Sequence, residues 1–558
     1  LIILWGFNPA DTWFDGAARY LAEAKAAGIK VICVDPRFTD SAAAYARQWI
    51  PVYPATDIAM LTAMAYVIIR ENLQDWKFID TYTVGFDSYK DYVLGVEDGI
   101  PKTPAWAETI TGVPAASIEN LAREYATAKP AALLASWGPG RAFYGEQFHR
   151  ATQILAAITG NVGVPGGWAA GHQVAFESTS PPSLRGMPTG RNPVQAGWPQ
   201  VKYQLTAPGA PNANSSRIHY ADIWNGILQG KAGGYPADIR LLYVLQANPL
   251  SNVTANNNLG AKAMEKLDFI VVHELLMTAT ARYADIVLPI TSFLEKEDVV
   301  QAWLTGSHYT YLHRVIEPLY ECKSDLQILT ELAPRLGIET YNDQSDEEWV
   351  KWIVENSENI PDYEEFKTKG IHRVKFDQPI VAFKKQIDDP ENNPFPTPSG
   401  KIEIYSQMLA DMDNPELPPI PKYFDNTQSR SSPLAEKYPL QVVSVHFKRG
   451  VHFQFKDLPW LCDLMPHALW INSVDALARG ISDGDQVQVF NDYGIIQVAA
   501  KVTERIMPGV VMLPESGQFT PDENGVDQGG GVNTLTSSYH TAGGAFSCNN
   551  ILVEVKKV

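Results

Sequence analysis

The chain has 558 residues, 45% of them hydrophobic and 19% charged, with a formal net charge of −18 and 14 Trp, 24 Tyr and 21 Phe. That length allows about three to four domains with substantial cores, and the aromatic content excludes a disordered chain. The acidic balance is the opposite of a phosphate-backbone binder's, so no nucleic acid partner is expected, and the longest apolar runs, such as Leu1–Trp5, fall far below the ~18 residues of a membrane span.

In chain order, Leu1 to Trp5 is a continuous apolar run, the pattern of a parallel strand covered on both faces. The chain therefore opens inside a strand, and the sequence is read as a segment whose upstream part lies before Leu1. A turn, Gly6-Phe7-Asn8-Pro9, leads into Phe14, Ala17, Ala18, Leu21 and Ala24 at helical spacing. Gly28 ends that helix, Val31–Val34 is the next strand, and Asp35-Pro36-Arg37 follows it. In such strand–helix–strand units ligands bind beyond the carboxyl ends of the strands, which places Asn8 and Asp35 at that edge.

Ser136-Trp137-Gly138-Pro139-Gly140-Arg141 precedes an amphipathic helix through Arg150, Ile154 and Ile158, closed by Gly160-Asn161. Residues 168–235 are rich in Pro, Gly, Asn and Ser and read as long surface or cofactor-covering loops. The opening grammar then returns: Leu241–Gln246, Asn248-Pro249, a helix around Leu259–Lys266 and the strand Phe269–Val272, with His273-Glu274 in the place of Asp35-Pro36. Tyr45-Ala46 with Pro51 matches Tyr283-Ala284 with Pro289, and Asp57 matches Glu295. This order suggests two related nucleotide-binding units; the alternative is two ordinary strand–helix–strand units sharing common residues. Neither unit carries G-x-G-x-x-G, which removes the main support for an NAD or FAD enzyme, and no P-loop, nucleophile elbow or H-E-x-x-H is present.

Residues 326–336 and 345–356 read as helices and the proline-rich 410–436 as a linker. From about 438 the period changes to two: Val487 and Val489, a turn, then Ile496, Val498 and Ala500 form a hairpin. Val510–Leu513 and Ile551–Val555 add strands, and a short helix spans Val474–Ala478, which together suggest a β-barrel. Cys33, Cys322, Cys462 and Cys548 form no C-x-x-C pair, so they read as buried free thiols and give no iron–sulfur or zinc motif. His446 and His452 are six apart, poor metal-ligand spacing, so no protein metal site is read.

Trp5-Gly6-x-Asn8-Pro9, Val34-Asp35-Pro36-Arg37, Thr56-Asp57, Trp137-Gly138-x-x-Arg141, Thr159-Gly160-Asn161, Ala284-Asp285-Ile286-Val287-Leu288-Pro289 and Ser399-Gly400-Lys401-Ile402-Glu403 together resemble the molybdopterin oxidoreductases of the dimethyl sulfoxide reductase family. Ile471-Asn472, Asp483-Gly484-Asp485, Pro508-Gly509-Val510 and Val532-Asn533-x-Leu535-Thr536 extend the likeness into the barrel. Tyr82-Thr83-Val84-Gly85 and Lys102-Thr103-Pro104 narrow it to catalytic subunits of the membrane-anchored branch. The resemblance implies an α/β protein with two related nucleotide-binding domains of mainly parallel sheet, over 1–167 and 168–436, and a C-terminal β-barrel domain over 437–558.

It further implies molybdenum, or tungsten, held between two molybdopterin guanine dinucleotides, one per α/β unit, with electrons arriving through a [4Fe-4S] cluster expected upstream of Leu1. The cofactor contacts carried over are Trp5, Gly6, Asn8, Asp35, Pro36, Arg37, Thr56, Asp57, Trp137, Gly138 and Arg141 from the first unit. The second unit supplies Asn248, Asn252, His273, Glu274, Lys296 and Asp325, and the barrel His446, Phe447, Arg449, His452, Gln454 and Asn533. Carboxylates such as Asp35 suit guanine or ribose, and Arg141 and Arg449 suit pyrophosphate in a fork that Lys cannot copy. The sequence departs from the family at Ala55 before Thr56, at Lys296 in place of a frequent Arg and at Gly544-Ala545-Phe546. The family's Ser, Cys or selenocysteine metal ligand is also expected before Trp5, so this segment is expected to fold without turning over. The implied partners are a small-molecule oxide substrate, an iron–sulfur subunit and a membrane anchor subunit, at the periplasmic or extracytoplasmic face of a bacterial or archaeal envelope. The alternatives are a reductase for selenate, polysulfide or thiosulfate, or a metal-free structural electron-transfer subunit.

Overall fold

A computed structural model of the chain describes residues 1–12, 16–168, 184–186, 218–235, 237–253, 255–302, 308–455, 458–515 and 517–558. Phe14, read as part of the first helix, lies outside them, as does most of the expected loop region 168–235. The opening apolar run is a strand, β1 (Ile2–Trp5), in which Ile3, Leu4 and Trp5 are buried. It pairs in parallel with β2 (Val31–Val34), which pairs with β3 (Gln48–Ile50); on the other side of β1 lies β4 (Ala132–Ala135), also parallel. The crossover between β1 and β2 contains the helix Ala17–Ala26. The helix Asp57–Arg70 is buried nearly all round, with Met60, Met64 and Ile68 at four-residue spacing in the core, as expected of a helix sandwiched between layers.

The second unit repeats the first. Its strands β5 (Leu241–Leu245), β6 (Phe269–Glu274) and β7 (Ile286–Pro289) form a parallel sheet in sequence order, as β1, β2 and β3 do. Even the local bonding is repeated. Asn8 Oδ1 accepts from the Ser41 backbone N–H at 3.0 Å while Ser41 Oγ accepts from Ala10 N–H at 3.0 Å. Asn248 Oδ1 accepts from Thr280 N–H at 3.1 Å while Thr280 Oγ1 accepts from Leu250 N–H at 3.0 Å. Two ordinary units sharing residue types would not also share this clamp.

The barrel forms from β8 (Leu440–Val445), β9 (Ala468–Ile471), β10 (Gln486–Phe490), β11 (Ile495–Val502), β12 (Val510–Pro514), β13 (Val526–Asp527) and β14 (Ile551–Lys557). The order β9-β12-β8-β14-β10-β11 closes through a parallel β9–β11 pairing, which removes the free sheet edges, and β13 sits on β11. Inward alternation buries Leu469, Val487, Val489, Ile496, Val511, Leu513 and Val553 in one core.

Three expectations change. Residues 218–235, read as loop, contain a helix at Ile223–Gln229, because Trp224 and Ile227 find a core to enter. The proline-rich stretch 410–436 is more than a linker: Ile420, with Ile404 before it, joins the core of the first unit, although both fall within the second unit's sequence boundaries. Of the four free cysteines, Cys33 and Cys548 are buried whereas Cys322 and Cys462 are partly exposed.

Candidate cofactor-binding cleft

The carboxyl ends of β1 and β2 open onto a cleft of about 840 Å³, walled by the turn at Ser136–Ala142, by Ser251 and Asn252 of the second unit, and by the barrel. Of the residues read from the sequence, Gly6, Asn8, Asp35, Pro36, Arg37, Asp57, Trp137, Gly138, Arg141, Asn252, His446, Phe447, His452 and Asn533 line it. The barrel is fastened here by Arg505, whose guanidinium meets Asp40 at 2.6 Å and the Phe38 carbonyl at 2.9 Å. Lys448 bridges Asp11 and Asp40, each at 3.0 Å.

Gly6 ends β1 with φ +58, and a Cβ there would come within 2.5 Å of Pro139, so this position lets the two loops meet. Asp35 is buried, and its carboxyl is raised by desolvation, against which Arg37 acts. Asp35 Oδ1 accepts from Arg37 N–H at 2.8 Å, so the turn-capping role is present, and Oδ2 is the oxygen left for the cleft. Asp57 opens its helix below the cleft floor; burial pushes its carboxyl up to about 6 although the Trp5 indole N–H donates to it at 2.7 Å. Arg141 packs over the Trp137 ring at 5.7 Å. Asn533 donates from Nδ2 to the Ser251 carbonyl at 2.8 Å, tying barrel to second unit.

Several sequence-read residues are placed elsewhere. Trp5 is fully buried beneath the cleft, where it holds Asp57, and Thr56 donates to the Tyr53 carbonyl at 2.6 Å. Asn248 is spent on the Thr280 clamp. His273 is wholly buried, with Tyr243 Oη at 2.8 Å from Nε2 and Asp325 Oδ1 at 2.8 Å from Nδ1, so both ring nitrogens are engaged within the chain. Lys296 pairs with Asp298 at 3.4 Å. Arg449 turns under Phe447, at 4.8 Å from its ring, and donates to the Met465 carbonyl at 2.6 Å; Gln454 is exposed. Glu274 keeps a buried Oε2 with no partner at the second unit's strand edge, where burial raises its carboxyl.

Sequence reading missed Asp11, Lys448, Glu515, Cys548 and Asn549, which also line the cleft. Glu515 is the most consequential. Its Oε1 stands 2.6 Å from His446 Nδ1 and 3.3 Å from His452 Nδ1. The approaches are close in distance, although neither is an aligned N–H···O bond to Oε1. Burial alone would raise this carboxyl, but the two histidines outweigh it and hold it down to about 2.

The donor set fits a bound dinucleotide: buried acids for ring N–H groups, the Arg141 fork for phosphate, side-chain amides, and an orphaned acid at the matching edge of the second unit. Residues 1–335 match the molybdopterin oxidoreductase family model and residues 440–550 that of the molydopterin dinucleotide binding domain. The chain is 38% identical to dimethyl sulfoxide reductase DmsA of Escherichia coli K12, over 100% of this chain and 71% of that one. It is 33% identical to the dimethyl sulfoxide/trimethylamine N-oxide reductase of Cereibacter sphaeroides, over 97% of this chain and 69% of that one. Among solved structures, acetylene hydratase from Pelobacter acetylenicus shares the fold, with a TM-score of 0.77 at 22% identity over 100% of this chain and 78% of that one. The chain therefore belongs to the molybdopterin oxidoreductases of the dimethyl sulfoxide reductase family, a family of redox enzymes.

Proposed function

We propose that the chain is catalytic-subunit sequence of an anaerobic respiratory reductase that removes an oxygen atom from an S- or N-oxide such as dimethyl sulfoxide. The observation that supports it most is the cleft itself, in which Asp35, Arg141 and Asn252 face His446, His452 and Asn533 of the barrel. When bound, a molybdenum or tungsten bis(molybdopterin guanine dinucleotide) would supply the two-electron oxygen-atom transfer. Asp35 would accept the guanine N–H groups, the Arg141 guanidinium would pair with pyrophosphate, and Asn252 and Asn533 would offer amides to the pterins. The second unit would seat the other dinucleotide at the matching strand edge, where Glu274 is buried.

An iron–sulfur electron-transfer subunit, a membrane anchor subunit, a [4Fe-4S] cluster outside residues 1–558 and an extracytoplasmic location complete this reading. Among the described residues no helix is long and apolar enough to cross a membrane. The test is oxidation of reduced viologen by the protein purified with its partner subunits. Turnover with dimethyl sulfoxide or trimethylamine N-oxide supports the reading. Turnover with selenate, polysulfide or thiosulfate alone moves the substrate, and protein devoid of molybdenum, tungsten and pterin would assign it to a structural electron-transfer role.

A further inference from the structure

Glu515 lies 69 residues after His446 and 63 after His452, and the barrel's topology explains why they meet. Strands β8 and β12 run parallel with Val445 opposite Pro514, and Glu515 N–H donates to the Val445 carbonyl at 2.8 Å. The next residue of each strand is therefore the pair His446 and Glu515. The chain then turns back through Phe447–Gly450 and a positive φ of 51° at His452, which returns the second ring to the same carboxylate. The two rings sit 5.2 Å apart and tilted by 62°.

A bare Nδ1 lone pair 2.6 Å from a carboxylate oxygen is repulsive even off the bond axis, which favours the tautomer of His446 with its proton on Nδ1, and the same field acts on His452 at 3.3 Å. His446, His452 and Glu515 also form a candidate metal-ligand group, but Oε1 lies 2.6 Å from His446 Nδ1, closer than the about 3.3 Å between tetrahedral ligands at roughly 2.0–2.1 Å, so that pair is in direct contact. We infer that Glu515 is a positioning residue that fixes the Nδ1–H form of both His446 and His452 and so presents their Nε2 atoms to the heterocycles of a bound cofactor. This rests on the cofactor reading of the cleft.

Charges facing the trio agree with it. Glu515 raises the proton affinity of His452, against burial and the Arg141 guanidinium, so His452 keeps a donating Nε2–H at higher pH than a free imidazole. Cys548, pushed up to about 11 mainly by burial, stays a neutral thiol there. Lys448 is committed to Asp11 and Asp40.

The experiment is a pH titration of histidine-¹⁵N-labelled cofactor-free protein, followed by long-range ¹H–¹⁵N spectra and assigned with H446Q and H452Q. Both rings should show Nδ1–H, and E515Q should lower the His452 midpoint and restore the Nε2–H form. E515D, which keeps the charge, should recover much of the midpoint. Unchanged midpoints and tautomers in folded E515Q overturn the inference. Should E515Q fail to fold, an Nε2–H neutral form on either ring of the unaltered protein overturns it equally. Pterin content is measured separately: if H446Q and H452Q retain full cofactor, the cofactor reading of these residues fails while the Glu515 coupling stands.

Discussion

Asp57→Asn should stabilise the cofactor-free protein, by an amount that grows from the pH at which the unfolded chain's carboxyl ionises and is complete above the pH at which the buried acid does. The side chain lies at the first position of its helix, 5% exposed, with its carboxyl pushed from 3.8 to about 6 by desolvation. In the unfolded chain the same group ionises near 3.8, so unfolding releases a proton between those values, and stability falls as pH rises through that window and is flat above it. Two pH units correspond to about 3 kcal/mol. Asparagine keeps an oxygen for the Trp5 indole, and the favourable charge at the helix N-terminus is already contained in the shifted value. The expectation is a gain of about 3 kcal/mol at pH 7.5 that vanishes towards pH 4. Urea denaturation of both proteins from pH 4.5 to 8 measures it. A loss of stability in Asp57→Asn of the same size at both ends of that range would refute the claim that the ionised acid is held at a cost. A residue kept against folding stability is what a ligand contact at the cleft floor would require, so the variant should retain less cofactor.

Asp35→Ala should cost on the order of 1.5–3 kcal/mol of cofactor binding and also lose the bond from Arg37 N–H, whereas Asp35→Asn keeps that bond and loses only the charge. Full molybdopterin occupancy in Asp35→Ala together with a lowered Tm would reduce Asp35 to a turn cap. Thr280→Val leaves Leu250 N–H and Asn248 Oδ1 without their buried hydroxyl partner, so equilibrium unfolding should show a loss of about 1–3 kcal/mol. Gly6→Ala would strain a positive φ and press on Pro139; a loss of about 1–3 kcal/mol is expected, and an unchanged Tm would mean the two loops can part.

Strands and their parallel order were legible because runs such as Leu1–Trp5 and Phe269–Val272 are apolar on both faces. The duplication was legible through Asn8-Pro9 and Asn248-Pro249, whose shared clamp requires those residue types. What those amides do was not legible: their oxygens are consumed by backbone and hydroxyl donors two loops away. His273 looked like a contact because it ends a strand, but Tyr243 on the adjacent strand and Asp325 at the next helix take both nitrogens, which only the folded register reveals. Arg449 and Gln454 are absent from the cleft lining for local reasons, Arg449 donating to the Met465 carbonyl and Gln454 lying exposed. Glu515 went unseen because its partnership is made by the parallel pairing of distant strands; the one sequence signal was a carboxylate directly after the buried run Val510–Pro514. Residues 404 and 420 show the same limit for boundaries: a proline-rich stretch can run as an extended layer over a core that belongs to an earlier unit.

On the proposed function, the cleft at the carboxyl ends of β1 and β2, closed by the barrel, would hold a guanine dinucleotide of a molybdopterin cofactor. The direct measurement is metal, pterin and GMP released by acid hydrolysis of protein purified from anaerobic, molybdate-supplied cells, compared with Asp35→Ala prepared alongside. Molybdenum or tungsten with pterin and GMP is expected in the unaltered protein, and a marked loss of GMP in the variant. Protein containing neither metal nor GMP, or a variant that retains both in full, would contradict it.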